Sequence, residues 1–191
     1  VVDMSYMFSN ATSFGFNTPA PGNNLTTWNT VGVVNMEYMF HNATEFNMTL
    51  SSGSLSVWDT QNVNNMRGMF MSASAFSGTG SGGGVSSWDT RNVADMTRMF
   101  YDATSFNADI SSWNISSLAN ASGMLDVSFG TSSFSQVNYD ALLQGWAAQP
   151  VIQRDVPLNV AQYFTLSTPA SASRAVLQND YNWFITDLGG I

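Results

Sequence analysis

A chain of 191 residues with 44% hydrophobic content is long enough for one sizeable domain or a short array of repeats, and too apolar to remain disordered. The net charge of −8, with only 9% of residues charged and no cluster of Lys or Arg, argues against nucleic acid and anionic membrane as partners. The absence of cysteine excludes a disulfide framework and thiolate metal sites, and no apolar run approaches the roughly 18 residues that membrane insertion requires.

The chain opens on VVDMSYMF (1–8), which lacks the charged start and cleavage site of a signal peptide, so any targeting segment is expected to have been removed or to lie outside this sequence. The same phrase returns as VVNMEYMF (33–40), VNNMRGMF (63–70) and VADMTRMF (93–100), at periods of 32, 30 and 30 residues. Downstream the register persists through Phe14, Phe46, Phe76 and Phe106, each closing an Ala-x-x-Phe step, and then through Trp28, Trp58, Trp88 and Trp113. The interval from Phe to Trp is 14, 12, 12 and finally 7 residues. The basic unit is therefore about 25 residues, and the earlier repeats carry insertions of Gly, Ser and Pro that should emerge on one edge of a stack.

Within a unit, Val93, Met96, Met99, Phe100 and Ala103 recur at the three- and four-residue steps of a short helix or a pair of helical turns. Asn62 and Asn92 stand where an N-cap would, with Asn65 and Asp95 three residues later in the manner of a capping box. The segment 110–115 starts with the alternation of a strand, so each unit is expected to be one strand, a turn and one helix. A unit this small cannot bury its apolar face alone, and stacking should align Met over Met and Trp over Trp. Methionine suits such a slot because it is flexible and makes favourable contacts with aromatic edges. A copper or redox role would call for exposed sulfurs with histidine or cysteine beside them.

From about Asp126 the repeat fails. The segment 138–149 reads as an amphipathic helix, 168–180 as a second one with Thr168 as N-cap and Pro169 in its first turn, and 181–190 as a strand and tail. The expected organisation is α/β: a leucine-rich-repeat-like solenoid of four to five strand-turn-helix units over 1–126, then a C-terminal α/β cap over 127–191. Val1 falls in the middle of a unit, so the first coil should be open, with the natural chain extending upstream or with self-association through that coil covering it.

The pattern V-x-x-M-x-x-M-F-x-x-A-x-x-F-N…W-D-T resembles the BspA-like bacterial surface-protein repeat, a relative of the leucine-rich repeats. The stretch VADMTRMFYDATSFNADISSWNI (93–115) follows it most closely, and the tail resembles the segment that closes such arrays. The resemblance implies a secreted or surface-anchored protein with roles in adhesion and partner binding, and it carries no catalytic residues across.

Six N-x-S/T acceptor patterns for N-glycosylation occur, at Asn10, Asn24, Asn42, Asn47, Asn114 and Asn120. Asn24 and Asn47 lie on or beside the insertions, where modification in a eukaryotic host has access. Asn10 and Asn42 share a slot with Ser72 and Asp102, where a small polar turn residue is wanted. Asp3, Asp59, Asp89 and Asp95 could in principle stack into a Ca²⁺ site, but Asn29, Asn35, Asn65 and Asn114 fill the same slots, which favours turn duty. His41 has no second histidine or cysteine to share a metal, and reads as a surface or capping residue at a helix end. The glycine run at 78–84 lacks the lysine of a phosphate loop. No nucleophile elbow or His-Asp pairing is present, so neither a cofactor nor enzymatic activity is expected.

The functional expectation is a non-enzymatic extracellular or cell-surface structural and adhesion module, part of a longer assembly. Other surface proteins or glycans are its expected partners. A glycan- or protein-binding module, using the insertion loops or a solvent-facing ladder of Thr, Ser and aromatic residues, is the alternative. Ice or mineral binding is more remote, for want of a uniform T-x-T pattern.

Overall fold

The computed structural model describes residues 1–14, 25–47, 55–128, 130–166 and 169–191. The helix expected over 93–103 does not form. Three successive turns replace it, closed by Met99 N–H to Met96 O (3.1 Å), Tyr101 N–H to Arg98 O (3.2 Å) and Ala103 N–H to Phe100 O (3.0 Å). Arg98 (φ 54°) and Asp102 (φ 56°) are left-handed, and a left-handed residue every fourth position stops the backbone from continuing as an α-helix. The apolar spacing suits either conformation, because both return a side chain to the same side every three or four residues.

The turns aim alternate N–H groups at the next repeat. Met96, Arg98, Phe100 and Asp102 donate to the carbonyls of Asn120, Ser122, Met124 and Asp126 at 2.9–3.0 Å. Equivalent bonds join the earlier repeats, and parallel bridges run Asp3–Asn35–Asn65–Asp95–Asn120. Hydrogen bonds that a helix would close within itself are thus spent between repeats, which satisfies buried backbone groups equally well. No strand forms over 110–115 either: Trp113 N–H turns back to Ile110 O at 3.1 Å. Asn62 and Asn92 are not N-caps; their side-chain amides donate to Val31 O (2.7 Å) and Gln61 O (2.6 Å) of the preceding repeat.

Inside, the repeats meet through columns of like residues. Met36, Met66, Met96, Met39, Met69 and Met99 have no solvent exposure. Phe40, Phe70 and Phe100 stack at 5.5 and 5.7 Å between ring centres, and Trp28, Trp58, Trp88 and Trp113 stack at 6.3–6.5 Å. Each buried indole N–H has an acceptor one repeat back: Trp58 donates to Leu25 O (2.8 Å), Trp88 to Leu55 O (2.8 Å) and Trp113 to Val85 O (3.0 Å). A buried indole left unpaired would cost about 1–3 kcal/mol, so this bond fixes the register of each repeat on its neighbour.

The C-terminal part carries the same columns forward. Residues 118–125, LANASGML, form a further rung whose end is strand β1 (Ala121–Leu125). β1 pairs in parallel with β2 (Pro157–Val160), and β2 with β3 (Phe184–Thr186). Helix α1 (Gln136–Ala147) begins at Ser135, whose side chain accepts from Asn138 N–H, and packs on α2 (Pro169–Asn179). Pro169 opens α2 as expected, while Thr168 lies outside the described residues. Phe134 stacks on Phe106 at 5.9 Å, and Trp146 of α1 donates to Ile110 O at 3.1 Å, as the repeat tryptophans do one step earlier. Gln149 accepts from Ile115 N–H (2.9 Å) and donates to Trp113 O (2.6 Å), pairing backbone groups of the last full repeat. α1 lies so close that a Cβ on Gly145 would fall 2.3 Å from Ser111 O.

α2 is tied to the tail by Arg174, whose Nε and Nη2 reach Asp187 Oδ2 and Oδ1 at 2.7 and 3.0 Å. The Tyr139 hydroxyl donates to the same carboxylate at 2.6 Å, and burial with this hydrogen bond pushes its ionisation well above the usual tyrosine range.

Candidate functional site

Outside the core, the repeats present columns of small polar residues, and backbone geometry explains most of them. Asn35, Asn65, Asp95 and Asn120 accept, through Oδ1, the N–H two residues on at 2.7–3.0 Å. Asn29, Asp59, Asp89 and Asn114 do the same at 2.9–3.2 Å. Asn and Asp alternate freely in both columns because either side chain makes this turn. The carboxylates considered for calcium are engaged: Asp89 pairs with Arg91 at 2.7 Å and Asp3 accepts from Asn35 at 3.3 Å. No group of three or more potential ligands that could hold a metal ion occurs among the described residues.

The acceptor asparagines fall in different environments. Asn10 (φ 62°) and Asn42 (φ 56°) occupy a left-handed column completed by Ser72 and Asp102, and Asn42 Nδ2 donates to Asn10 Oδ1 at 2.9 Å. The two amides are neighbours in one column and crowd each other as modification sites. Asn47 is half-buried and accepts from Ser77 Oγ at 3.2 Å; Asn114 is exposed; Asn120 is half-buried in its turn. Asn24 lies outside the described residues.

His41 sits in a turn, not at a helix end. Its Nδ1 is 3.2 Å from Ser9 Oγ, its ring meets the Tyr38 ring edge-on at 5.5 Å, and partial burial lowers its pKa. The glycine run forms a tight loop in which Gly82, Gly83 and Gly84 all have positive φ, and Val85 N–H closes it on Gly78 O at 3.0 Å. Thr44, Ser74 and Thr104 donate their hydroxyls to the main chain of the preceding repeat at 3.3–3.5 Å, so this ladder ties repeats together. Trp58, Trp88 and Trp113 are buried and unavailable as ligand platforms.

Tyr6, Tyr38 and Arg98 share another column, with Arg67 and Tyr101 beside it. Tyr6 and Tyr38 lie with ring centres 5.2 Å apart, and Arg67 Nε donates to the Tyr38 hydroxyl at 3.4 Å. Arg67 also faces Glu37 (3.9 Å) and Asp95 (3.8 Å), and its guanidinium is held charged, first by the Tyr38 hydroxyl. Arg98 is exposed, with its guanidinium 5.4 Å from the centre of the Tyr101 ring. The aligned phrases M-S-Y-M-F, M-E-Y-M-F and M-T-R-M-F already place Tyr6, Tyr38 and Arg98 in one register. Sequence reasoning passed over them because it followed the invariant positions, and this slot varies.

No curated protein and no solved structure matches the chain. One family model does, over residues 1–82 and again over 53–165, a pair of overlapping matches that fits a chain of repeats. The chain belongs to the family described as Mycoplasma protein of unknown function, DUF285.

Proposed function

We propose that this chain is a non-enzymatic structural and adhesion module of the cell surface or extracellular space, built as a leucine-rich-repeat-like solenoid of the BspA-like kind. The observation that carries the reading is how the recurring residues are used. Met, Phe and Trp are spent on contacts between repeats, and the recurring Asn, Asp and Thr on turns and bonds between repeats. A scaffold of that kind leaves the variable outward positions free to meet a partner. The near-uncharged polar surface and the resemblance of the repeat to surface proteins support the same reading.

Labelling intact cells of the source organism with an antibody to this chain tests it. Surface staining before permeabilisation is the expected result; staining only after permeabilisation would refute the surface assignment.

A further inference from the structure

The column through positions 6, 38, 68, 98 and 123 is left-handed at every level, with φ between 51° and 65°. Glycine fits that conformation without cost, and Gly68 and Gly123 occupy it in two of the repeats. Tyr6, Tyr38 and Arg98 are poorly suited to it, since a Cβ there crowds the following carbonyl. The other left-handed column is filled by Asn10, Asn42, Ser72 and Asp102, the small polar residues such backbone favours. Burial does not compensate the strain at Tyr6, which is 55% exposed. Strained backbone bearing chemically distinctive side chains, exposed at Tyr6 and Arg98 and half-buried at Tyr38, points to a function for those side chains.

The strip is also shaped. The Tyr38 ring lies over Gly68, where a Cβ would fall 2.2 Å from its Cε1, and the Arg98 stem lies over Gly123, where a Cβ would fall 3.2 Å from its Cγ. Long side chains are thus laid flat across the glycine of the next repeat. Rows are spaced about 4.8 Å apart, as in any backbone ladder of this kind, so Tyr38 and Arg98 stand about 10 Å apart along the stack. Arg67 is balanced by Glu37 and Asp95, whereas Arg98 makes no ion pair among the described residues.

We propose that this strip binds a carboxylated carbohydrate, with sugar rings lying on the Tyr6 and Tyr38 faces and a carboxylate taken by the Arg98 guanidinium. Tyrosine offers a rigid, amphipathic face at low entropic cost, and the planar guanidinium fork matches a carboxylate. An extended peptide cannot add here as a further strand, because the N–H groups of Tyr6, Tyr38, Gly68 and Arg98 are already paired to the next repeat. A nucleic acid could use the same stacking, but it carries a charge at every residue, which the net charge of −8 opposes, whereas a single carboxylate meets the single unpaired guanidinium of the strip. The inference deepens the surface-module reading and rests on it only for where such a glycan would be met.

The test is calorimetric titration of the full chain with maltotetraose whose terminal residue is oxidised to glucuronic acid, with maltotetraose itself as the neutral counterpart and hexaglutamate as an acidic peptide. The singly carboxylated oligosaccharide should bind, more weakly as salt rises. Arg98→Gly and Tyr38→Gly should each weaken it by about tenfold or more through loss of the fork or the ring, while Tm holds or rises because the left-handed strain is relieved. Should Arg98→Gly fail to fold, Arg98→Asn, which also tolerates this backbone, takes its place. Failure of the carboxylated oligosaccharide to bind, equal binding of maltotetraose, preference for hexaglutamate, or indifference to all the variants would each overturn the proposal. None of these would alter a positive cell-labelling result, and intracellular staining would leave a positive titration standing.

Discussion

His41 is the single histidine of the chain, and its environment gives it a measurable role in stability. Partial burial against Ser9 and Tyr38 lowers its pKa below the ordinary 6.5, so the folded state takes up this proton less readily than the unfolded state. The contribution is full above pH 6.5 and declines as pH falls from there through the lowered folded-state pKa. Tm should therefore drop between about pH 7 and about pH 5. In His41→Gln the drop should be absent; a slope unchanged by that substitution would mean that His41 is not its source. The residue was visible in the sequence, but its setting was not, since Ser9 is 32 positions away and reaches it only through stacking.

At the scale of one repeat, the described residues form a chain of turns with only short 3-10 segments, such as Leu25–Thr27 and Leu55–Val57, to rely on. Its stability comes from its neighbours, and Trp88 is where that dependence concentrates. Its ring lies between Trp58 and Trp113, touches Phe70 at 6.2 Å, and sends its N–H to Leu55 O. Trp88→Ala should cost about 3–5 kcal/mol in denaturant unfolding, the range for truncating a fully packed aromatic. Trp88→Phe should cost less but still measurably, because it leaves the Leu55 carbonyl without its donor. A neutral Trp88→Ala would contradict the stack. The tryptophan column was legible in the sequence as a register; the hydrogen bond from each indole to the preceding repeat was not, because it joins residues 28 to 33 apart with no pattern of their own.

For the whole molecule, the columns do not stop where the sequence repeat stops. Phe134 continues the phenylalanine stack, Trp146 repeats the indole-to-carbonyl bond, and β2 and β3 extend the parallel ladder beyond β1. Repeats and C-terminal helices should consequently unfold together. Tryptophan fluorescence, which reports mainly the repeats, and far-UV ellipticity, dominated by α1 and α2, should give coincident urea transitions. Two separated transitions would mean that the contacts of Trp146 and Gln149 do not couple the parts.

What the sequence by itself determined is the register: which Met sits over which, where the phenylalanines and tryptophans align, and that the segments around 138–149 and 168–180 are helical. Residue identity at a fixed period is enough for that, because like side chains must meet when identical units pack. Only the tertiary structure decided the conformation within a unit, since left-handed turns and a helix present the same apolar spacing. Backbone hydrogen bonds chose between them by going to the next repeat in place of the next helical turn. That choice set the left-handed column outward and brought Tyr6, Tyr38 and Arg98 together.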